Sequence, residues 1–600
     1  MVSGPSAPNG STAQARVLVD ELARGGLTHV VLCPGSRSAP FAFALDAEPR
    51  IRLHLHPDER SAAFVALGIA QVTGRPAAVV VTSGSAVANL HPAVIEADAA
   101  GVPLLLLTAD RPPELRETGA DQTIRQAGLF GATCRWAIDV GVAEDRPDAV
   151  VTWRRSAARA LAEAAGLSGP PGPVQLNVPF REPTVPATDD GRTVGPAFVT
   201  PLETGAPEGV GRPGVTVSRV PHTLGADEIE ELAARFAAVE RGLLVVGSGA
   251  HDHASADAVH QLARVTGWPV LAEGHTAARH RDGALQTWPH LVEHEAFRAA
   301  HRPELVLRVG RATLTRALAD LVATATTELV LDPYGRWWDP NRTMSELVAA
   351  DPADTLRRAA DTLAMPTSSI WSDGWRSADA RVADTLAVHL DGGGGHDGAR
   401  VVRDVIAAAP LGAHVFVASS TAIRHLERHT PPRDDLVWHA NRGAAGIDGN
   451  VSTAFGTAIA TATSSGAPVV AVVGDLALLH DTNAWLLQAA VEDENLTVVV
   501  LDDDGGTIFD LLPPGDFPAQ RRLFTTPHGR DLSHLAALHG IAYQRVGVGH
   551  VGATVADPGP GGRRMLHVPV RPPERGSVAE IRAAVASALA GDGAVGPGAA

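Results

Sequence analysis

Short apolar runs alternate with segments of helical periodicity along most of the chain, and this alternation limits the fold more than any other feature. In the first third, the apolar runs 30–32, 77–81 and 104–107 are separated by stretches such as 59–71, in which apolar residues recur at helical spacing. Strands that alternate with helices form parallel sheets, because each crossover between parallel strands needs room for a helix. The alternation resumes twice further along the chain. The sequence therefore predicts an α/β protein with three successive α/β domains and mostly parallel sheets.

The domain limits follow from breaks in this pattern. A chain of 600 residues is too long for one core, since single cores stop growing at roughly 250 to 300 residues. Pro, Gly and Thr dominate residues 185–221, which we interpret as a linker, and a run of glycines at 392–395 marks a second break. We predict domains over residues 1–190, 191–375 and 376–600.

Composition excludes several classes of protein. All 50 basic residues are arginine, so the chain can supply neither a Schiff-base lysine nor the lysine of a P-loop. A net charge of −17 argues against a nucleic-acid or anionic-membrane partner. Two cysteines, Cys33 and Cys134, fit a reducing compartment, and no apolar stretch approaches the ~20 residues of a membrane span. We expect a cytoplasmic protein without a membrane span.

Two acids follow buried strands in the last third. Asp475 directly follows the apolar run Val472–Gly474. Asp503 lies 28 residues beyond Asp475, after the run Val500–Leu501 and Asp502. That spacing holds one crossover, so the two carboxylates are expected at neighbouring strand ends, where ligands of parallel sheets bind. A site that has only a few carboxylates and leaves room for phosphate oxygens suits Mg²⁺. A single strand-end acid is more often a cap, but a pair flanked by glycines favours a metal site.

Polar loops also follow the strands of the first third. They are Pro34–Ser38, His56–Arg60 and Thr82–Ser85. Glu59 opens an apolar helix, where an acid usually serves only the helix dipole. Because all three loops lie at strand ends, we expect them to line one edge of the sheet.

These loops and acids together resemble the MenD family, the 2-succinyl-5-enolpyruvyl-6-hydroxy-3-cyclohexene-1-carboxylate synthases of menaquinone biosynthesis, which use thiamine diphosphate. The resemblance covers both terminal thirds in order, whereas the middle third matches only in general character. It is carried by PGSRS at 34–38, HPDER at 56–60, TSGSAVANLHPAVIEA at 82–97, TADRPPEL at 108–115, DQTIRQ at 121–126, NRGAAGIDG at 441–449, GDLALLHD at 474–481 and DDDGGTIF at 502–509.

The resemblance implies a thiamine-diphosphate-binding fold with pyrimidine-binding, central and diphosphate-binding domains. It implies Mg²⁺, or Mn²⁺, held by Asp475, Asp503 and the Gly505 carbonyl. The wider superfamily usually has Asn-Asn in place of Asp502-Asp503, so the assignment among the three aspartates stays open. Glu59 would hydrogen-bond the aminopyrimidine ring. The implied cofactor-binding residues are Glu59, Ser420, Ile447, Gly474, Asp475, Asp503, Gly505, Ile508 and Phe509.

The implied reaction is decarboxylation of 2-oxoglutarate and conjugate addition of the succinyl unit to isochorismate. Both substrates are dicarboxylates, and arginine binds carboxylates in bidentate fashion. The implied catalytic residues are Glu59, Arg37, Arg424, Arg442, Gln122 and Ser36. The implied substrate-binding residues are Ser36, Arg37, Arg111, Gln122, Arg316, Ser420, Arg424 and Arg442. The resemblance also implies a homodimer or homotetramer with active sites at the subunit interface.

Other interpretations remain open at this point. An acetolactate synthase type of decarboxylase or carboligase would share Glu59 and the aspartates but not the arginine-rich loops. The run Val246–Gly249 after a strand would suit a nucleotide-dependent oxidoreductase, although the third glycine is missing. His290–His294 fits the H-x-x-E-H pattern of inverted zinc peptidases, which arises easily by chance. A non-catalytic scaffold is disfavoured by Glu59 and Asp475.

Overall fold

The computed structural model contains three sheets, which confirms the predicted α/β class. The described residues are 7–186, 196–206, 212–249, 253–363, 370–392, 397–489, 494–557, 559, 561–572 and 574–590. The strands are β1 His29–Leu32, β2 Arg52–Leu55, β3 Ala77–Val81, β4 Leu104–Asp110, β5 Trp136–Asp139, β6 Pro173–Pro179, β7 Gly242–Val246, β8 Val270–Ala272, β9 Leu305–Val309, β10 Thr327–Leu331, β11 Glu346–Val348, β12 His414–Val417, β13 Val437–His439, β14 Val469–Gly474, β15 Leu496–Asp502, β16 Ala542–Arg545 and β17 Arg563–Pro569.

Helices connect these strands as crossovers and cover the faces of the sheets. They are α1 Gly10–Arg24, α2 Ala39–Asp46, α3 Glu59–Thr73, α4 Ser85–Ala88, α5 His91–Ala100, α6 Pro147–Ala164, α7 Ala226–Ala237, α8 His253–Thr266, α9 Trp288–Glu293, α10 Glu295–Ala300, α11 Arg316–Val322, α12 Pro352–Thr362, α13 Ile370–Asp391, α14 Asp397–Ala408, α15 Thr421–His429, α16 Asn450–Ser464, α17 Asp475–His480, α18 Ser533–His539, α19 Val551–Ala556 and α20 Arg575–Ala590.

The first and third sheets have the same strand arrangement. Their orders are β2-β1-β3-β4-β6-β5 and β13-β12-β14-β15-β17-β16, and the central sheet has the order β11-β10-β9-β7-β8. Every pair of neighbouring strands in the first and central sheets is parallel. All seven residues of β4 and of β6 are buried, as expected for central strands covered on both faces.

A histidine pair marks the same position in each of these two sheets; it is buried in the first sheet and partly buried in the third. His29 of β1 contacts His54 of β2 at 3.1 Å between ring nitrogens, and His414 of β12 contacts His439 of β13 at 2.8 Å. In both pairs the two residues are 25 positions apart in sequence. Sequence reasoning missed this internal correspondence, because the two blocks share topology rather than a short repeat.

The chain packs as two compact units. Unit 1 comprises Met1–Arg219, Asn441–Val469 and Ala477–Leu496, and unit 2 comprises Val220–Ala440, Val470–Leu476 and Thr497–Ala600. Helix α16, although it lies between strands of the third sheet in sequence, therefore belongs to unit 1. The limit predicted between residues 190 and 191 and most of the 392–395 break lie outside the described residues, and the domain limits stay predictions.

Two predicted helices differ from the structure. The sequence pattern predicts one helix over 86–100, but the segment divides into α4 and α5 because Pro92 stands in the first turn of α5, where proline is tolerated, and cannot continue a preceding helix. The sequence pattern also predicts a helix over 482–491. Its described part is a short 3-10 helix over Thr482–Leu486, after which Gln488 pairs with Leu55 in an antiparallel bridge. Residues 490 and 491 lie outside the described part.

Helix α1 begins earlier than the sequence suggests. The pattern at Ser11–Gln14 predicts a capping box, but the cap is Asn9, whose side chain accepts a hydrogen bond from the Thr12 amide at 2.9 Å. Within the part of the chain that the structure covers, no helix combines the length and apolarity that crossing a membrane requires.

Candidate active site

Glu59 is the first residue of α3, and its carboxylate faces a cavity. Asp58 caps the helix by accepting hydrogen bonds from the amides of Arg60 and Ser61, which leaves the neighbouring Glu59 side chain free to point outward. The side-chain amide of Asn89 donates to Glu59 Oε2 at 3.1 Å. The cavity has a volume of about 360 Å³, and both residues line it together with Asn483. A half-buried acid in such a position can exchange a hydrogen bond with a polar ring.

Arg37 and Arg111 lie close together at the same edge of the first sheet. Arg37 follows Ser36 in the loop after β1 and is 6% exposed. Its guanidinium donates to the Phe180 carbonyl at 2.8 Å and pairs with Glu182 at 3.0 Å. Burial lowers the pKa of Arg37, and the nearby charge of Arg111 lowers it further. Two guanidinium groups held near one another form a suitable site for a carboxylate.

Both arginines keep unused donor capacity. Among the described residues, the buried Nε atoms of Arg37 and Arg111 have no hydrogen-bond partner. Buried donors without partners are rare in folded proteins, and they point to a ligand that completes them.

Gln122 packs against the loop after β3. It has a left-handed backbone, with φ of 53°, and its amide donates to the Ser83 carbonyl at 3.0 Å. Gly84, with φ of 88°, faces it closely: a Cβ on Gly84 would stand 2.9 Å from the Gln122 side chain. The Ser83 hydroxyl is buried and lacks a partner within the described ranges. Gln122 therefore lies beside a third buried polar atom without a partner among the described residues, the Ser83 hydroxyl.

The loop between β13 and α16, which belongs to unit 1, carries Arg442 and Ile447. Both side chains are partly buried. Asn441 anchors the start of the loop by donating to Thr453 Oγ1 at 2.9 Å and accepting from Gln71 at 3.2 Å. The loop is thus fixed against both α3 and α16.

Three aspartates and a histidine gather at the carboxyl ends of β14 and β15 in unit 2. We call Asp475, Asp502, Asp503 and His528 the carboxylate cluster. Asp475 directly follows Gly474 at the end of β14 and accepts a hydrogen bond from the Gly505 amide at 2.7 Å. The ring of His528 contacts Asp475 Oδ2 at 3.1 Å. Of the residues the structure describes, only Asp475, Asp502 and His528 form a group of three or more potential ligands within 4.8 Å of one another.

The acids of the cluster oppose one another's ionisation. Burial raises the pKa of Asp475, and burial together with the charges of Asp475 and Asp502 raises the pKa of Asp503 to about 7. Burial also opposes ionisation of Asp502, but its 2.7 Å hydrogen bond with His567, its hydrogen bond from the Asp504 amide and the charge of His567 together lower the pKa. Asp503 accepts a hydrogen bond from Thr507. A divalent cation would relieve this repulsion, and oxygen donors in this number suit Mg²⁺ or Mn²⁺. The residues present therefore fit such an ion.

A cavity of about 620 Å³ lies beside the carboxylate cluster in unit 2. Arg424, Asp503 and Ile508 line it, together with apolar residues such as Leu511. Ser420, the residue before α15, has a left-handed backbone with φ of 74°, and its carbonyl accepts from Arg424 at 2.6 Å. The cavity thus combines a cation with apolar walls.

Phe509 lies in the same short helix as Ile508, over Thr507–Leu511. Its ring packs on Phe524, with ring centres 5.5 Å apart. Arg316 is different, because it lies exposed at the first position of α11. Its place in the site stays a prediction.

The zinc pattern at His290–His294 is not realised. Helix α9 ends at Glu293, and His294 caps the next helix by accepting from the Phe297 amide. Glu293 forms an ion pair with Arg428. The two histidines therefore do not share a helical face, and the acid is already engaged.

The glycine loop after β7 also has a packing explanation. A Cβ on Gly247 would stand 2.2 Å from the backbone of Arg311, so a glycine is needed for that close approach. The remaining part of the loop, at 250–252, lies outside the described residues.

Sequence reasoning missed three polar residues that the structure places here. Asn89 and Glu96 lie within the stretch 82–97, which supported the family resemblance without assigning either residue a role. His528 stands 25 residues beyond Asp503, in an irregular segment in which Thr526 and Gly529 have positive φ values of 45° and 56°.

Comparisons with known proteins agree with this geometry. Residues 13–129 match the family described as thiamine pyrophosphate enzyme, N-terminal TPP binding domain. The fold is similar to that of benzoylformate decarboxylase from Polynucleobacter necessarius, with a TM-score of 0.66 and 15% identity, covering 94% of this chain and 99% of that one. The sheets, the strand-end acids and the family match together define a thiamine pyrophosphate enzyme.

Relatives of similar length specify the family. The chain is 42% identical to the 2-succinyl-5-enolpyruvyl-6-hydroxy-3-cyclohexene-1-carboxylate synthase of Saccharopolyspora erythraea over 545 residues, which cover 89% of this chain and 91% of the relative. It is 42% identical to the synthase of the same name from Thermobifida fusca, with 90% and 92% covered, and 40% identical to that from Haloarcula marismortui, with 90% and 92% covered. The chain belongs to the 2-succinyl-5-enolpyruvyl-6-hydroxy-3-cyclohexene-1-carboxylate synthase family.

Proposed function

We propose that the protein decarboxylates 2-oxoglutarate and adds the resulting succinyl unit to isochorismate, giving 2-succinyl-5-enolpyruvyl-6-hydroxy-3-cyclohexene-1-carboxylate and CO₂ for menaquinone biosynthesis. One carbon–carbon bond breaks to release CO₂, and one forms to the isochorismate ring. Membership of the synthase family carries this proposal. The paired arginines at the first sheet and the carboxylate cluster at the third support it.

Glu59 is proposed to be the acid that touches the cofactor. When bound, thiamine diphosphate would supply a thiazolium carbon that accepts the electrons left by departing CO₂. Glu59 would hold a hydrogen bond to the aminopyrimidine ring. Its fixed position at the start of α3 and its contact with Asn89 keep the carboxylate directed into the cavity. The chain thus supplies one positioned acid for proton movement.

The carboxylate cluster is proposed to bind Mg²⁺ or Mn²⁺ together with the diphosphate. Asp475, Asp503 and the Gly505 carbonyl would be the ligands, and Asp475 also belongs to the group of atoms that already lie within 4.8 Å. The remaining cofactor contacts in the proposal are Ser420, Ile447, Gly474, Ile508 and Phe509.

Substrate carboxylates are proposed to bind at the arginines. Two dicarboxylic substrates bring four carboxylates to an acidic protein, so local guanidinium groups are needed. Arg37 and Arg111 support this assignment most directly, because their buried Nε atoms lack partners among the described residues. The remaining substrate-binding residues in the proposal are Ser36, Gln122, Arg316, Ser420, Arg424 and Arg442.

The proposed assembly is a cytoplasmic homodimer or homotetramer with active sites at the subunit interface. One copy would supply Glu59 and its partner the metal-binding acids. We propose no nucleic-acid partner, in keeping with the net charge of −17.

The test is turnover by the purified protein supplied with thiamine diphosphate, Mg²⁺, 2-oxoglutarate and isochorismate. We expect CO₂ release and the succinylated product only when all four are present. Pyruvate is the competing substrate. Equal turnover of pyruvate would favour an acetolactate synthase type of reaction and would refute the arginine assignment.

A further inference from the structure

Glu96 is a buried acid that binds the backbone of another segment. It lies on α5, is 3% exposed, and accepts three successive amides of the loop between β13 and α16. The distances are 2.6 Å from Gly443 to Oε1, 2.7 Å from Ala444 to Oε2 and 3.2 Å from Ala445 to Oε2. Successive backbone amides that converge on one point form an anion-binding nest. Here the protein's own carboxylate occupies that nest.

The loop adopts a conformation that it would not favour alone. Ala445 has a left-handed backbone with φ of 60°, which is unfavourable for a residue with a Cβ. Gly443 approaches α5 so closely that a Cβ would stand 2.5 Å from the Glu96 carbonyl. Both features depend on the loop being held against α5.

Apolar contact and hydrogen bonds both hold this loop. Gly449 packs on the ring of Phe64, where a Cβ would stand 2.0 Å from the ring. The outer side of the loop faces a cavity of about 290 Å³, which is lined by Phe64, Ile95, Glu96, Ala444, Gly446 and Asp448, and the three amides at 443–445 donate to Glu96. Charge-assisted hydrogen bonds to a buried carboxylate are among the strongest available for that purpose.

The same stretch of chain also contacts Glu59. Asn89, just after α4, donates to Glu59 Oε2, and Glu96 lies seven residues further on. We propose that Glu96 is a positioning residue that sets the loop bearing Arg442 and Ile447, so that α4 and α5 together align this loop with Glu59. This inference rests on the proposed function for the roles of Arg442 and Ile447.

The test is Glu96→Gln, which keeps the volume but replaces one acceptor oxygen with a donor. Hydrogen–deuterium exchange is the direct measurement. We expect exchange in peptides covering 442–449 to rise at least tenfold while α3 and α16 keep their protection. In the cofactor-loaded protein, we expect KM for isochorismate and the Kd of thiamine diphosphate to rise at least tenfold, with a smaller change in kcat.

Glu163→Gln is the matched control. Glu163 is also buried in unit 1, at 4% exposure, but its partner is Arg159 and it lies on α6. This variant should change neither the exchange of the loop nor KM. A second variant adds Ala445→Gly to Glu96→Gln, and it should recover part of the loop protection because glycine adopts a left-handed backbone freely.

Unchanged exchange at 442–449 in Glu96→Gln would overturn the inference even if the protein is an active synthase. Exchange that rises uniformly throughout unit 1 would overturn it too, since it would show a general structural role. Conversely, if Glu96→Gln shows the exchange effect while the wild-type protein has no synthase activity, the proposed function is refuted and the role of Glu96 in the loop stands.

Discussion

Gly68 of α3 and Gly456 of α16 bring the two helices into backbone contact. A Cβ on Gly68 would stand 2.1 Å from the Thr453 carbonyl oxygen, and a Cβ on Gly456 would stand 2.1 Å from that of Val65. Neither position can accept a larger residue unless the helices separate. This crossing ties α16 to α3, and the loop before α16 contacts the same helix at Phe64 and Gln71.

Gly68→Ala is therefore expected to destabilise unit 1. Inserting a methyl group into a closed contact typically costs about 1 to 3 kcal/mol, and the clashing atom here is a backbone oxygen, which cannot rotate away. Thermal unfolding followed by circular dichroism should show an earlier first transition. Gly169→Ala is the control, because a Cβ there meets nothing within 4 Å. Equal midpoints for the two variants would contradict the packing argument.

Glu59→Gln is expected to lower turnover by about 100-fold or more, the usual contribution of a positioned acid or base. The amide keeps the volume and can still accept from Asn89, so the thermal midpoint should stay within the error of the measurement. Steady-state CO₂ release provides the rate. Glu114→Gln, an exposed acid paired with Arg181, serves as the control. Near-normal turnover in Glu59→Gln would rule out the assigned role.

Removing one acid of the carboxylate cluster is expected to weaken metal binding. Asp475→Asn should raise the Kd of Mn²⁺, measured by calorimetry with thiamine diphosphate present. Loss of a residue that only hydrogen-bonds a metal ligand weakens metal binding by roughly 10- to 100-fold, and we expect a larger effect for Asp475. Asp531→Asn is the control, since Asp531 is exposed in the same unit. Unaltered affinity in Asp475→Asn would place the metal elsewhere.

Asp503→Asn should have opposite effects on Mn²⁺ binding and on the thermal stability of the metal-free protein. Because burial raises the pKa of Asp503 to about 7, its ionised form is costly at pH 8 without a metal. The neutral amide removes that cost, so the metal-free variant should melt at a higher temperature than the parent while binding Mn²⁺ more weakly. A lower melting temperature at pH 8 would contradict this account.

Buried Glu427 should make unit 2 less stable as pH rises. It lies on α15, fully buried, and burial followed by the charge of Glu273 raises its pKa from 4.5 to about 8. Between these values the folded state keeps a proton that the unfolded state has lost, so stability falls by up to about 1.4 kcal/mol per pH unit and levels off above pH 8.

The measurement is the free energy of unfolding from pH 5 to 9. Glu427→Gln is neutral throughout and should flatten the fall across this window. Glu580→Gln, on the exposed side of α20, should retain the slope of the parent. The same slope in all three proteins would exclude Glu427 as its source.

The sequence predicted those parts of the site that local pattern determines. Asp475 and Asp503 follow buried strands, and parallel strands end at one edge, so their proximity could be inferred from spacing alone. Glu59 was recognisable as the first residue of an apolar helix. The three sheets followed from the alternation of apolar runs with helical segments.

Other parts depend on contacts between distant segments, which periodicity does not encode. The association of α16 with unit 1 depends on Gly68 meeting Gly456, nearly 400 residues away. His528 contacts Asp475 from an irregular segment, where no periodicity predicts a strand or a helix. Glu96 resembles an ordinary helical acid, and its role becomes visible only when the loop amides are placed on it.

The first and third sheets have matching strand orders, with a histidine pair at the same place in each. Corresponding positions of the two sheets can therefore be compared within one protein. Results obtained on one sheet can be transferred to the corresponding strand of the other without any second protein. Replacing His54 and His439 separately would therefore test the same substitution on corresponding strands of the two sheets. A difference in the loss of stability would measure how differently the two sheets depend on this histidine pair.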